Sequence, residues 1–230
     1  MIGPELPPLT RAALAAMIDH TLLRPEATPD QVERLCTEAA HHGFAAVCVN
    51  PVFVPLAARL LAGTRVKVGT VVDFPFGAGT AADKARQAEA ALAAGAVELD
   101  MVQPIGLLKG GHDREVAEHL RAVIEPAHRA GAIVKVILET ALLTDEEIDR
   151  SARLAAEAGA DFVKTSTGFG PGGATEAAVR RMRAAVGPGV GVKAAGGIRD
   201  YETACRMVAA GANRIGTSSG VAIVNAAPVA

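Results

Sequence analysis

Ala160-Asp161-Phe162-Val163-Lys164-Thr165-Ser166-Thr167-Gly168-Phe169-Gly170 and Gly189-Val190-Gly191-Val192-Lys193-Ala194-Ala195-Gly196-Gly197 repeat one pattern. Each is a short apolar run of the kind that forms a buried parallel strand, with a lysine near its end and a glycine-rich loop after it. An ammonium held among apolar neighbours loses hydration, which favours the neutral amine. The lysines lie about thirty residues apart, the span of one strand-helix-strand unit, so they fall on neighbouring strands. Such strands run about 4.8 Å apart, and two ammonium groups at that spacing disfavour each other's charge. Desolvation with a cationic neighbour activates a lysine for Schiff-base chemistry on a carbonyl.

Outward from these two stretches the same unit recurs. Thr10 caps a short helix through Met17, and Ile18–Leu23 reads as the first strand. Helical patterns at Pro29–His41, Pro51–Leu61, Ala81–Ala94 and Asp113–Ala130 each precede an apolar run, at 45–49, 66–72, 97–102 and 133–139. Helices Asp145–Ala158, Thr175–Ala185 and Tyr201–Ala209 alternate with strands 161–165, 190–194 and Arg214–Gly216. Glycines at 95, 131, 159 and 211 supply left-handed caps between helix and strand. Eight strands in 230 residues predict an α/β chain folded as a single (β/α)8 TIM barrel with a short N-terminal helix, one domain over 1–230. Active sites of that fold sit at the C-terminal ends of the strands, so both lysines are expected on that rim.

Half of the residues are hydrophobic and the net charge is -2, an ordinary globular balance without the basic excess of a nucleic-acid binder. No apolar run approaches membrane-spanning length, and Met1–Pro8 has no basic region ahead of an apolar one, which reads as a cytoplasmic protein away from membranes. Cys36, Cys48 and Cys205 are odd in number and widely spaced, against a disulfide framework or zinc site. Cys36 and Cys205 read as core packing, whereas Cys48 ends a strand near a possible pocket. Only six of the basic residues are lysines, and Lys67, Lys135, Lys164 and Lys193 all fall in strand-like runs, leaving Lys84 and Lys109 elsewhere. Solubility does not account for that distribution.

Asp100 shares a strand face with Glu98 by period-two alternation. A carboxylate inside a barrel needs a cationic partner or a proton-transfer task, and Lys164 and Lys193 are the candidate partners. Asp19 is a further candidate for orienting a lysine, and His20 reads as a hydrogen-bonded structural histidine. Gly196 and Gly197 after strand seven, with Gly216, Ser218 and Ser219 after strand eight, form two loops suited to phosphate, because glycine lets backbone N–H groups approach an anion and hydroxyls add donors. Thr165 and Gly168 are further candidates for substrate contacts, and the glycine-rich run 168–173 that Gly168 opens is expected to add contacts or a lid. No set of side chains has metal-ligand spacing, and His41, His42, His112, His119 and His128 read as solvated groups on the outer ring.

Ile18-Asp19-His20-Thr21-Leu22-Leu23, Val47-Cys48-Val49-Asn50-Pro51, Val68–Gly77, Glu98–Val102, Lys135–Thr140, Asp161–Phe169 and Val192–Arg199 together resemble the deoxyribose-phosphate aldolase family, in order and over nearly the whole chain. The resemblance implies a class I aldolase that interconverts 2-deoxy-D-ribose 5-phosphate with D-glyceraldehyde 3-phosphate and acetaldehyde in deoxynucleoside catabolism. It implies no metal or other cofactor, small phosphosugar and aldehyde substrates as partners, and a homodimer or homotetramer. It also implies that Lys164 forms the Schiff base, Lys193 depresses its pKa, and Asp100 moves protons with a water. Two positions depart from the family pattern: Gln103-Pro104 follow strand four where relatives usually continue with a polar residue and no proline, and the C-terminal segment carries no tyrosine, Tyr201 being the only one. Another Schiff-base ketose-phosphate aldolase or transaldolase-like barrel, and a non-catalytic sugar-phosphate sensor, remain as alternatives.

Overall fold

The computed structural model describes residues 9–229. The lead-in Met1–Pro8 and the last residue lie outside the described residues. Eight parallel strands close into a barrel in sequence order: β1 (Ile18–Leu22), β2 (Ala46–Val49), β3 (Lys67–Val72), β4 (Glu98–Val102), β5 (Ile133–Ile137), β6 (Phe162–Lys164), β7 (Gly191–Ala195) and β8 (Arg214–Thr217). The surrounding helices are α1 (Arg11–Ala15), α2 (Pro29–His42), α3 (Val54–Leu60), α4 (Ala81–Ala93), α5 (Ile105–Lys109), α6 (Asp113–Arg129), α7 (Asp145–Glu157), α8 (Glu176–Val186), α9 (Tyr201–Ala209) and α10 (Gly220–Ala226). This is the expected (β/α)8 architecture with its short N-terminal helix. No described helix is long and apolar enough to cross a membrane.

Local chemistry sets the helix starts. Thr80 and Thr144 each accept the backbone N–H three residues on, while Asp83 and Glu147 reach back to the cap. Two orphan donors are satisfied at each end in this way. Asp200 and Thr175 cap α9 and α8 through single side-chain acceptors. The element ends differ from the sequence reading by up to three residues, the largest at α3, where Pro51–Phe53 form a separate 3-10 turn, and β6 has only three residues. Beyond its end, Thr165 still donates its N–H to the Lys193 carbonyl at 3.1 Å, and its hydroxyl donates to the Ala195 carbonyl at 2.9 Å. The short α5 was not expected. Pro104 precedes its first turn, and the adjoining Gln103 is fully buried, donating from Nε2 to the Leu138 carbonyl at 2.9 Å and accepting from Ser151 Oγ at 2.6 Å.

Register decides what each face of the barrel carries. Asp19 pairs with Gly216, Asp100 with Lys135 and Lys164 with Lys193. Partners across a parallel pair share a face, so alternation puts Asp19, Glu98, Asp100, Lys135, Lys164, Lys193 and Arg214 inside. Their neighbours Ile18, Val47, Leu99, Val134, Val136, Val163, Val192 and Ile215 face the helices, and each is fully buried in one hydrophobic core. The apolar core is thus the shell between strands and helices, and the middle of the barrel is charged.

Candidate active site

Four basic and three acidic side chains meet inside the barrel. Asp100, fully buried at the centre of β4, accepts from Lys135 on Oδ1 at 2.8 Å, and from both Lys164 (2.8 Å) and Lys193 (2.7 Å) on Oδ2. Lys193 Nζ also lies 2.5 Å from Asp19 Oδ2. Lys135 donates to Glu98 Oε2 at 2.6 Å. Arg214 donates from Nε to Asp19 Oδ1 at 2.8 Å and from Nη2 to Glu98 Oε2 at 2.9 Å. Taking such ions from water costs several kcal/mol each, and only paired, hydrogen-bonded charges recover it.

The balance is uneven among the bases. Burial lowers the pKa of Lys164; Asp100 counters this, and the Lys193 charge lowers it further. Lys193 is equally buried, yet Asp100 and Asp19 outweigh both burial and Lys135, and raise it. Lys135 is raised in the same sense against burial by Asp100, Asp19 and Glu98. Burial alone would raise Asp19 and Asp100; the surrounding lysines, with Arg214 in the case of Asp19, hold both well below the usual carboxylate range. Lys164 is therefore the base that most readily gives up its proton. Its depression begins with burial, and the Lys193 charge adds to it, the two causes that the sequence pattern pointed to.

A cavity of about 650 Å³ opens at the C-terminal ends of the strands. It is lined by Lys164 and by segments Leu22–Arg24, Thr167–Phe169, Ala195–Arg199 and Gly216–Ser218, with the inner face of α2 at Gln31, Arg34, Leu35 and Glu38. Within the charged cluster Lys164 alone lines it, so a carbonyl entering the cavity meets that amine first. The two lysines are register partners at the same level of the barrel; Lys164 ends β6 and lines the cavity, whereas Lys193, two residues short of the end of β7 and 0 % exposed, does not.

The expected phosphate residues divide. Gly196, Gly197, Gly216, Ser218 and Gly168 line the cavity; Thr165 and Ser219 do not. The Thr165 hydroxyl is spent bridging β6 and β7, donating to the Ala195 carbonyl and accepting the Ala195 N–H. Ser219 precedes α10, and its N–H donates to Thr217 Oγ1 at 2.9 Å. Gly216 also has a second reason to be glycine, since a Cβ there would meet Lys193 Cε at 2.9 Å. Arg24, Arg34 and Arg199 add cationic groups to the wall that the sequence reading missed. Arg199, two residues beyond Gly197, was the one with a visible signal.

Other expectations resolve as follows. His20 is buried and hydrogen-bonded, its Nε2 lying 2.8 Å from Glu38, and it also lines the cavity. Cys48 is buried beneath the cluster, and desolvation with the Asp100 charge pushes its thiol up to about 11. Cys36 is core packing, whereas Cys205 is only half-buried. Lys67, at the start of β3, is exposed and does not join the other strand lysines. Lys84, which the sequence sets apart from the strand lysines, is fully buried, pairing with Asp73 and donating to the carbonyls of Gly77 (3.1 Å) and Val102 (2.9 Å). His119 is half-buried beside a second cavity, between the loops after β3 and β4, rather than solvated. Tyr201 donates to the Leu9 carbonyl, away from the cavity. The glycine-rich run after β6 is tied down by Glu139, a buried residue in left-handed conformation (φ 56°) whose carboxylate accepts from the N–H and hydroxyl of Thr167. No group of three metal-ligating side chains occurs among the described residues.

Residues 13–226 match the model of the DeoC/LacD family aldolases. A deoxyribose-phosphate aldolase from a Geobacillus strain is 56% identical over 211 residues, 92% of this chain and 94% of that protein. One from Thermococcus gammatolerans is 56% identical over 216 residues, 93% and 96% of the two chains. A solved deoxyribose phosphate aldolase from Aeropyrum pernix, described as a unique tetrameric structure, superposes with a TM-score of 0.89 at 38% identity, covering 94% of this chain and 91% of the other.

Proposed function

The chain belongs to the DeoC/LacD family of aldolases, and from that premise we propose that it cleaves 2-deoxy-D-ribose 5-phosphate reversibly to D-glyceraldehyde 3-phosphate and acetaldehyde through an imine on Lys164. The observation that carries this reading is that one amine of a buried charge cluster reaches the cavity, and it is the one whose proton is least firmly held. Neutral Lys164 attacks the C1 aldehyde of the open-chain sugar, and the carbinolamine loses water to give an iminium. Loss of the C3 hydroxyl proton then breaks the C2–C3 bond, its electrons passing into the iminium to leave an enamine as glyceraldehyde 3-phosphate departs. Protonation at C2 and hydrolysis release acetaldehyde and return the amine.

Asp100, in contact with Lys164 Nζ, is the group placed to take and return protons at that nitrogen, with a water as intermediary to the substrate. Lys193 stays charged between Asp19 and Asp100 and keeps Lys164 from protonating. The substrate phosphate is assigned to the loops after β7 and β8, where Gly196 (φ 92°) and Gly197 (φ 81°) bring backbone close to the cavity and Ser218 supplies a hydroxyl. The barrel domain acts in the cytoplasm as a homodimer or homotetramer, a reading supported by the tetrameric relative.

The test combines turnover with trapping. Retro-aldol rates are compared on deoxyribose 5-phosphate and on fructose phosphates, and borohydride reduction with acetaldehyde is followed by peptide mass mapping. The proposal expects preference for the deoxy sugar and one ethyl adduct, on Lys164. Preference for a ketose phosphate would favour a different Schiff-base aldolase, and an adduct on Lys193 would reverse the roles of the two lysines.

A further inference from the structure

The seven ionised groups of the barrel are not an irregular cluster. Six of them form a closed ring in which charge alternates at every step: Asp100, Lys135, Glu98, Arg214, Asp19, Lys193 and back to Asp100. Each link is 2.9 Å or shorter. Three negative and three positive charges cancel within it. Lys164 is the seventh group, bonded to Asp100 Oδ2 alone and lying outside the balance.

We propose that Glu98 and Arg214, which lie outside the substrate cavity, are positioning residues that close this ring and so leave Lys164 as the one base in the barrel without a carboxylate of its own. Arg214 opens β8 and stands over the Phe162 ring, 5.8 Å from its centroid, at the far end of the charged column from the cavity. It acts through Asp19 and Lys193, while Glu98 acts through Lys135 and Asp100. The inference rests on the reading of Lys164 as the imine-forming residue.

Charge counting gives the two ends opposite effects. Without Arg214 the ring carries an excess negative charge, which a proton on Lys164 neutralises. Without the Glu98 carboxylate it carries an excess positive charge, which drives that proton off. The groups directly facing Lys164 are Asp100, Lys193 and the thiol of Cys48, which is neutral at ordinary pH. Glu139 turns its carboxylate to Thr167. His20, paired with Glu38, lines the cavity wall with Arg24, Arg34 and Arg199, whose charge water screens. None of these groups distinguishes one end of the ring from the other.

The experiment measures the rate of borohydride-trapped imine formation with acetaldehyde, and kcat/KM for cleavage, against pH in Arg214→Gln, Glu98→Gln and the double variant. At a separation of about 10 Å and an effective dielectric near 20, one unit charge moves a titration by roughly one pH unit. Arg214→Gln is expected to move the acid limb of both profiles up by about that amount, with activity at pH 7 falling roughly tenfold and returning as the pH is raised. Glu98→Gln is expected to move the limb down, and the double variant to restore its position. Arg214→Lys, which keeps the charge, should leave the limb in place and separates this effect from misfolding. Limbs that stay fixed, or that move in the same direction in both single variants, overturn the ring. Mapping the trapped peptide in the unsubstituted protein keeps the two ideas distinct: an adduct away from Lys164 defeats the functional reading, and an adduct on Lys164 with unmoved limbs defeats only the ring.

Discussion

Replacing Lys193 by methionine removes a buried ammonium while keeping most of the side-chain volume. Lys193 and Lys164 contact the same oxygen, Asp100 Oδ2, at 2.7 and 2.8 Å, so their nitrogens are no more than about 5.5 Å apart. At an effective dielectric near 20, two unit charges at ~5 Å repel by roughly 3 kcal/mol, equivalent to about a hundredfold change in a protonation equilibrium. In Lys193→Met that repulsion disappears, and Asp19 and Asp100 each lose a cation, so a proton on Lys164 is favoured twice over. The assay is the initial rate of borohydride-trapped imine formation with acetaldehyde as a function of pH, which reads the free amine without the later proton transfers of turnover. The expected result is a rate at pH 7 lower by roughly a hundredfold, climbing about tenfold per pH unit as the amine is deprotonated. A variant with the same acid limb as the unsubstituted protein would refute the argument that Lys193 keeps Lys164 from protonating.

Other consequences follow from particular contacts. Lys84→Met strips an ion pair from Asp73 and two donated hydrogen bonds from the loops after β3 and β4; a loss of about 3 kcal/mol is expected, seen as a melting temperature lower by roughly 6–12 °C. Gly216→Val should depress imine formation more than it raises KM, because its Cβ would press on Lys193 Cε, and a change in KM alone would return this glycine to a purely phosphate-binding role. Cleavage activity should survive prolonged EDTA treatment, since the iminium supplies the electron sink; a loss restored by a divalent cation would contradict the amine-based route.

Strand count and order were legible because each β-strand is an apolar run bracketed by helix caps and glycine turns, and these signals are local. The inward lysines were legible too, since a lysine in the middle of Lys135-Val136-Ile137 or Val192-Lys193-Ala194 interrupts an otherwise apolar period. Lys67 carries the same local signal yet is exposed, because it begins its strand at the barrel's edge. Which lysine meets the cavity was not readable from spacing, because Lys164 and Lys193 are register partners that carry the same local signal. Glu98 was legible as an inward carboxylate on the face of Asp100, but its pairing with Arg214 was not, because it joins β8 to β4 across the barrel, a contact spanning 116 residues. The burial of Lys84 was not legible from its helical pattern, since its carboxylate partner lies in the loop after β3, where Asp73 adopts a left-handed backbone (φ 51°).

The account stands on the protonation state of one side chain. Nitrogen-15 NMR of the lysine-labelled protein, with Lys164→Arg to assign the resonance, follows each Nζ through a pH titration. The account predicts that the Lys164 amine titrates below the ordinary lysine range while Lys135 and Lys193 remain protonated above it. A Lys164 resonance that titrates with those of the surface lysines, or a neutral Lys193 beside a charged Lys164, would contradict it.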